Sequence, residues 1–244
     1  MDFLPLPEPS THPTGVDLWL LDLDCCKELS PQIYLEALPT EELTRAQKFN
    51  AGQNQFLLTR LFLREALARY TGIAPRDIDI ARTPNGKPFL ANTSAPLHFN
   101  LSHTSNVAAL AVSAQGELGV DIEILEERNF LRIAHRYFHA KEVEQLQSCN
   151  ETERATLFFK LWTLKEAFLK ATGEGIANGL NKVSFSFGED SITASFDKSL
   201  QESPDDWQFQ QAILPKNLLV ALALKSKNTT KTQWFYGNEL SNLG

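Results

Sequence analysis

The chain has 244 residues, room for one large domain or two small ones. Hydrophobic residues make up 43% and charged residues 22%, with Gly and Pro at 12 each, which excludes general disorder and collagen-like sequence. A net charge of −7 excludes whole-surface attraction to nucleic acid or anionic lipid, so any polyanion must be held by a local cluster.

No stretch approaches the roughly 18–20 apolar residues of a membrane span. The start, MDFLPLPEPSTHPTG, lacks a basic run and an apolar core, so no secretory signal is expected there. Cys25, Cys26 and Cys149 are odd in number and contain no CxxC, which fits reduced thiols and a cytoplasmic protein.

Residues 1–15 read as an irregular arm, and GVDLWLLDLD (15–24) as a strand. Residues 31–49 read as one or two short helices, with Thr40 as N-cap ahead of Glu41 and Glu42. FLLTRLFLREALARY (56–70) has the apolar period of a strong helix stopped by Gly72. TPNGKPF (83–89) is turn chemistry, Asn-Gly between prolines. LHFNLSHTSNVAALAVS (97–113) predicts two strands broken at Ser102-His103-Thr104, and ELGVDIEIL (117–125) a further strand. One or two helices follow over 128–147 and a long one over 154–173. A strand meander (182–187, 191–196, 207–214, 218–224) completes the pattern, and the last twenty residues read as a loose tail.

REALARYTG (64–72) and KEAFLKATG (165–173) align without a gap at an offset of 101. Two amphipathic helices can match by chance. The other reading is a duplicated α+β unit, a pseudo-dimer with a ligand site in the cleft between its halves. The expected division is an N-terminal half over 1–112, a C-terminal half over 113–230 and a tail over 231–244.

Three constellations can carry chemistry. In Gly119-Val120-Asp121-Ile122-Glu123 the strand alternation sends Val120 and Ile122 to the core and sets Asp121 beside Glu123 on the other face. That face is either an ordinary solvated or Lys/Arg-paired one, or a divalent metal site. Glu166 and Lys170 share a face of the long helix, as an ordinary surface pair or, because apolar residues surround that helix, as a buried site needing partners. Ser102-His103 offers a hydroxyl, an imidazole and backbone N–H groups to phosphate oxygens, with Lys87 as a positioned cation. Taken singly, His103 also fits a capping histidine and Lys87 a solvated loop lysine. No GxxxxGK[ST], GxGxxG, GxSxG or HExxH is present. Three carboxylates beside cations suit Mg²⁺ and a substrate bearing a diphosphate.

GKP (86–88), FNLSH (99–103), GVDIE (119–123), the Phe138…Glu142…Leu146 helix and LWTLKEAFLKATGEGI (161–176) together resemble the Sfp-type 4′-phosphopantetheinyl transferases, most of all their cyanobacterial members. The resemblance runs from about residue 40 to about residue 185. It implies an α+β pseudo-dimer of two similar halves with the active site at their interface, and a monomer. It implies transfer of the 4′-phosphopantetheine group of coenzyme A to a serine of apo acyl or peptidyl carrier proteins of fatty acid, polyketide or nonribosomal peptide synthases, releasing 3′,5′-ADP. By that resemblance Asp121, Glu123 and Glu166 hold Mg²⁺, with Mn²⁺ as an alternative. Glu166 also serves as general base, directly or through a water, and Lys170 neutralises the transferring phosphoryl group. Ser102 and His103 bind the coenzyme phosphates, Lys87 the 3′-phosphate and adenine side, and Arg45 belongs to the coenzyme-binding segment. Where the family has an arginine ahead of the first long helix, this chain has Asn54-Gln55, with Arg60 or Arg64 as substitutes. The segment Phe130 to Phe138 faces the carrier. No nucleic-acid or membrane partner is implied. A different Mg²⁺ enzyme acting on a nucleotide diphosphate would turn its substrate over without carrier. A non-catalytic carrier-binding module would not need three clustered carboxylates.

Overall fold

The computed structural model describes residues 6–10, 13–26, 29–93, 96–126, 130–175, 179–189 and 191–237. Parts of the expected N-terminal arm, the first residues of the expected 128–147 helix, Ile176 of the GEGI segment and the end of the expected tail lie outside them. In chain order the elements are β1 (Val16–Asp22), α1 (Pro31–Ala37), α2 (Thr40–Ala46), α3 (Gln53–Thr71), β2 (Ile80–Arg82), β3 (Pro88–Leu90), β4 (His98–Thr104) and β5 (Val107–Ser113). They continue with β6 (Leu118–Ile124), α4 (Leu131–Tyr137), α5 (Ala140–Ser148), α6 (Glu151–Thr172), β7 (Val183–Phe187), β8 (Ile192–Phe196), β9 (Trp207–Leu214), β10 (Leu218–Lys225) and β11 (Thr232–Gly237). Among the described residues no helix is long and apolar enough to cross a membrane.

The chain forms two α+β units, the first comprising Met1–Thr83, Pro88–Ala114 and Lys231–Gly244, the second Pro84–Lys87 and Gln115–Thr230. The division therefore differs from 1–112, 113–230 and a tail. The turn carrying Lys87 groups with the second unit, and the stretch after 231 returns to the first.

In the first unit the sheet runs β11-β1-β5-β4. β11 lies parallel to β1, pairing Leu18 with Trp234 and Trp19 with Phe235. This corrects the expectation of a loose tail. Trp234, Phe235 and Tyr236 have somewhere apolar to go: Phe235 stacks on the buried Trp19 at 4.5 Å. β4 also runs unbroken through Ser102 and His103, because Ser102 pairs with Ala109 and His103 with Ala108; the reversal is at Ser105-Asn106, where Ser105 has φ 44°. α3 packs its apolar face into a core with Trp19, Leu21, Phe99 and Leu110. Thr40 is the first residue of α2, and its cap is Pro39; α1 instead is capped by Ser30 Oγ, which accepts from Gln32 N at 3.3 Å.

The second unit has an antiparallel sheet β6-β10-β9 and a hairpin β7-β8, with α6 laid against both. Asn150 caps α6 by accepting from Glu153 N at 3.0 Å. Its core joins Phe158, Leu161, Leu164 and Phe168 to Leu219, Ala221 and Ala223 of β10. The matched Thr-Gly pairs that end the internal repeat behave alike. Gly72 closes α3 at φ 67° and Gly173 closes α6 at φ 76°, a left-handed conformation that favours glycine.

Candidate active site

Gly119 decides how close strand and helix can come. A Cβ there would stand 2.0 Å from the Ala167 carbonyl oxygen and 2.5 Å from Ala171 N, so β6 touches the α6 backbone only because residue 119 has no side chain. The alternation of β6 then aims Asp121 and Glu123, on the same face as Gly119, at α6 rather than at solvent. Asp121 is buried and Glu123 half-buried, while Val120 and Ile122 on the opposite face are fully buried.

Across this contact Lys170 Nζ donates to Asp121 Oδ1 at 2.6 Å. Glu166, one turn earlier on α6, is buried, and its Oε1 has no hydrogen-bond partner among the described residues. Its carboxyl is pushed up to about 7, first by burial and next by the Asp121 charge, with Lys170 pulling it back and Glu123 adding to the rise. The four residues thus share one electrostatic neighbourhood. Among the described residues, however, no three His, Cys, Asp or Glu side chains form a metal-binding group. Asp121, Glu123 and Glu166 are thus not gathered as a ligand set among the described residues, and Asp121 gives Oδ1 to the ammonium of Lys170. The donors still fit a hard divalent ion in kind. Mg²⁺ needs one or two carboxylates besides substrate oxygens, and Glu166 presents a buried oxygen that accepts no hydrogen bond among the described residues.

Lys165, the neighbour of Glu166, has a different task. It is fully buried, pairs with Glu142 Oε2 at 2.8 Å, and donates to the carbonyls of Leu180, at 2.8 Å, and Val183. Glu142 in turn accepts from His139 N and Phe185 N, each at 3.0 Å. This network ties α5, α6 and β7 together and leaves Glu166 and Lys170 as the part of the helix facing β6.

Lys87 reaches the end of the same helix. Its Nζ donates to the Ala171 carbonyl, and its Cβ would meet a Cβ on Gly173 at 3.4 Å. Burial pushes the ammonium down, and Glu117 partly restores it. Lys87 is thus a cation at a helix C-terminus, where it is also favoured by the helix dipole.

The remaining expected residues lie in the first unit. Arg45 and His103 line one cavity of about 860 Å³. Ser102 is buried, as expected of an immediate neighbour of exposed His103 on a strand whose faces alternate. Sequence reasoning missed Arg82 and Glu42 in this cavity, and it missed the meaning of Gly119, although a glycine inside a strand is itself a signal of close backbone approach.

Acidic oxygens beside a lysine on a buried helix make a polar centre suited to a cation and a phosphorylated substrate. A family model described as 4′-phosphopantetheinyl transferase superfamily matches residues 117–223, and one described as 4′-phosphopantetheinyl transferase, N-terminal, matches residues 28–115. The chain is 33% identical over 226 residues to the 4′-phosphopantetheinyl transferase HetI of Nostoc sp., covering 91% of this chain and 92% of that one. It is 39% identical over 183 residues to slr0495 of Synechocystis sp., covering 73% of this chain and 70% of the relative. A holo-[acyl-carrier-protein] synthase structure from Thermotoga maritima aligns at 19% identity and a TM-score of 0.37, covering 46% of this chain and 64% of that one. The chain belongs to the 4′-phosphopantetheinyl transferase superfamily.

Proposed function

We propose that this enzyme transfers the 4′-phosphopantetheine group of coenzyme A to a serine of apo acyl or peptidyl carrier proteins, in the cytoplasm and as a monomer. The observation that carries the reading is the juxtaposition of Asp121, Glu166 and Lys170 across the Gly119 contact.

The serine hydroxyl attacks the phosphorus next to the pantetheine arm. A new P–O bond forms to the serine, the bond to the bridging oxygen breaks, and 3′,5′-ADP leaves. Glu166 takes the serine proton directly or through a water. Lys170 neutralises charge on the transferred phosphoryl group. Asp121, Glu123 and Glu166 would hold Mg²⁺, or Mn²⁺ in its place, which supplies charge neutralisation on the diphosphate. Lys170 then exchanges Asp121 for phosphate oxygens. Arg45, Ser102, His103 and Lys87 bind the coenzyme. The carrier meets α4, where Arg132, Ile133 and Arg136 are exposed around the buried Ala134.

The test mixes the chain with apo carrier protein, coenzyme A and Mg²⁺ and weighs the carrier. A gain of one phosphopantetheine group supports the reading. No gain on fatty acid, polyketide or peptide carriers, or coenzyme breakdown without carrier, contradicts it.

A further inference from the structure

The two units repeat one another in more than their long helices. The order β1-α1-α2-α3-β2-β3-β4-β5 of the first returns in the second as β6-α4-α5-α6-β7-β8-β9-β10. The antiparallel strands β1-β5-β4 match β6-β10-β9, with β11 added outside β1. A buried clamp is repeated as well. Glu42, the third residue of α2, accepts from Arg64 at 3.1 and 3.0 Å, and Arg64 Nη1 donates to the carbonyls of Pro75 and Ile78, both at 2.8 Å. Glu142, the third residue of α5, holds Lys165, which donates to the carbonyls of Leu180 and Val183. Arg64 and Lys165 are 101 positions apart, the offset of the aligned helices.

The same correspondence gives the acidic centre a counterpart inside the first unit. Gly15-Val16-Asp17 at β1 matches Gly119-Val120-Asp121 at β6. In that alignment Asp17 stands for Asp121, Trp19 for Glu123, Glu65 for Glu166, Arg69 for Lys170 and Tyr70 for Ala171. Two acids and a cation are kept. The third acid has become an indole, and the small residue after the cation a phenol.

Those two changes give the acids partners from the chain itself. Tyr70 Oη donates to Asp17 Oδ2 at 2.8 Å, and Trp19 Nε1 donates to Tyr70 Oη at 2.7 Å. Burial and the Asp17 charge push the Tyr70 hydroxyl far above its ordinary range, so it stays a donor. Arg69 Nη1 donates to the Glu65 carbonyl at 2.8 Å and to Glu65 Oε2 at 3.4 Å, and its Nη2 to the Leu6 carbonyl at 3.4 Å. An indole N–H and a guanidinium only donate, so neither can ligate a cation. Access differs too. The Lys170 side chain is 29% exposed and that of Arg69 5%, while Trp19 is fully buried.

We infer that Asp17, Glu65 and Arg69 form a closed copy of the acidic centre, in which the Tyr70 hydroxyl and the Arg69 guanidinium supply from within the chain what the second unit takes from an ion and a phosphorylated substrate. The inference rests on the proposed function for the role of the open centre, and it makes the closed copy a metal-free fastening of β1 to α3. The experiment uses the whole chain. In the presence of a chelator, Tyr70→Phe and Asp17→Asn are each expected to lower Tm by about 5 °C, because each leaves a buried polar group short of its partner. Equilibrium dialysis against Mn²⁺ is expected to find one ion per wild-type chain. Its Kd should stay within about threefold in Tyr70→Phe, Asp17→Asn and Glu65→Gln and rise more than about tenfold in Glu166→Ala. A second ion on the wild type, or an ion weakened tenfold by Glu65→Gln, overturns the inference, as does a Tm shift below about 1 °C in both Tyr70→Phe and Asp17→Asn. Wild-type protein that binds no ion overturns the metal assignment of the second unit instead, and the Tm measurements then decide the closed copy by themselves.

Discussion

Lys165→Met removes a cation that the second unit holds wholly out of water. Lys165 and Glu142 are 0% and 2% exposed, and Nζ has its three acceptors in Glu142 and the carbonyls of Leu180 and Val183. Methionine matches the length of the stem but leaves Glu142 buried, with only the His139 and Phe185 amides to solvate its charge. Breaking one side of a buried pair costs about 3–5 kcal/mol. For a chain of this size, with roughly 2–4 °C of Tm per kcal/mol, the expected fall in Tm is on the order of 10 °C. Urea unfolding at pH 7 measures it. The double variant Glu142→Gln with Lys165→Met is expected to be more stable than Lys165→Met alone, because the stranded charge is gone while an acceptor remains. A loss below about 1 kcal/mol in the single variant, or a double variant no more stable than it, would refute the assignment of this pair as the clamp of α5, α6 and β7.

Gly119→Ala drives a methyl group into the α6 backbone, and a loss of about 3 kcal/mol with displacement of Asp121 from Lys170 is expected; an unchanged melting curve with full activity would remove the close-contact argument. Asp121→Ala is expected to abolish transfer while far-UV circular dichroism stays native, and retained transfer would count against the site. The Glu166 carboxyl, ordinarily near 4.5, is raised to about 7 in the folded chain, so the unfolded chain gives up its proton first as pH rises. The associated stability is fully present below 4.5 and lost as pH rises through 7. Glu166→Gln should flatten this part of the metal-free stability profile, and parallel curves for the two proteins would contradict the shift.

Much of this was legible in the sequence because it is local. The apolar period and the terminal Thr-Gly pairs announced α3 and α6, and Gly72 and Gly173 do take left-handed backbone. GVDIE announced a strand with two acids on one face, and KEAFLK a buried helix with Glu166 and Lys170 together. What stayed hidden depends on distant partners. Asp121 meets Lys170 across 49 positions, and Glu42 meets Arg60 and Arg64 across 18 and 22, separations that no periodicity encodes. Lys165 and Glu166 are adjacent letters with opposite tasks, one a sealed clamp and the other a site carboxylate. β11 looked like tail because its pairing partner, β1, is at the other end of the chain. A local reading of Ser102-His103 as a break missed that Ala108 and Ala109 supply their strand partners.

The most direct test follows 3′,5′-ADP release and carrier mass in one reaction, with coenzyme A, apo carrier and either Mg²⁺ or a chelator. The account predicts equal amounts of 3′,5′-ADP and phosphopantetheinylated carrier, dependent on both the divalent ion and the carrier and lost in Glu166→Ala. Nucleotide release without a carrier, or undiminished transfer by Glu166→Ala, would contradict it.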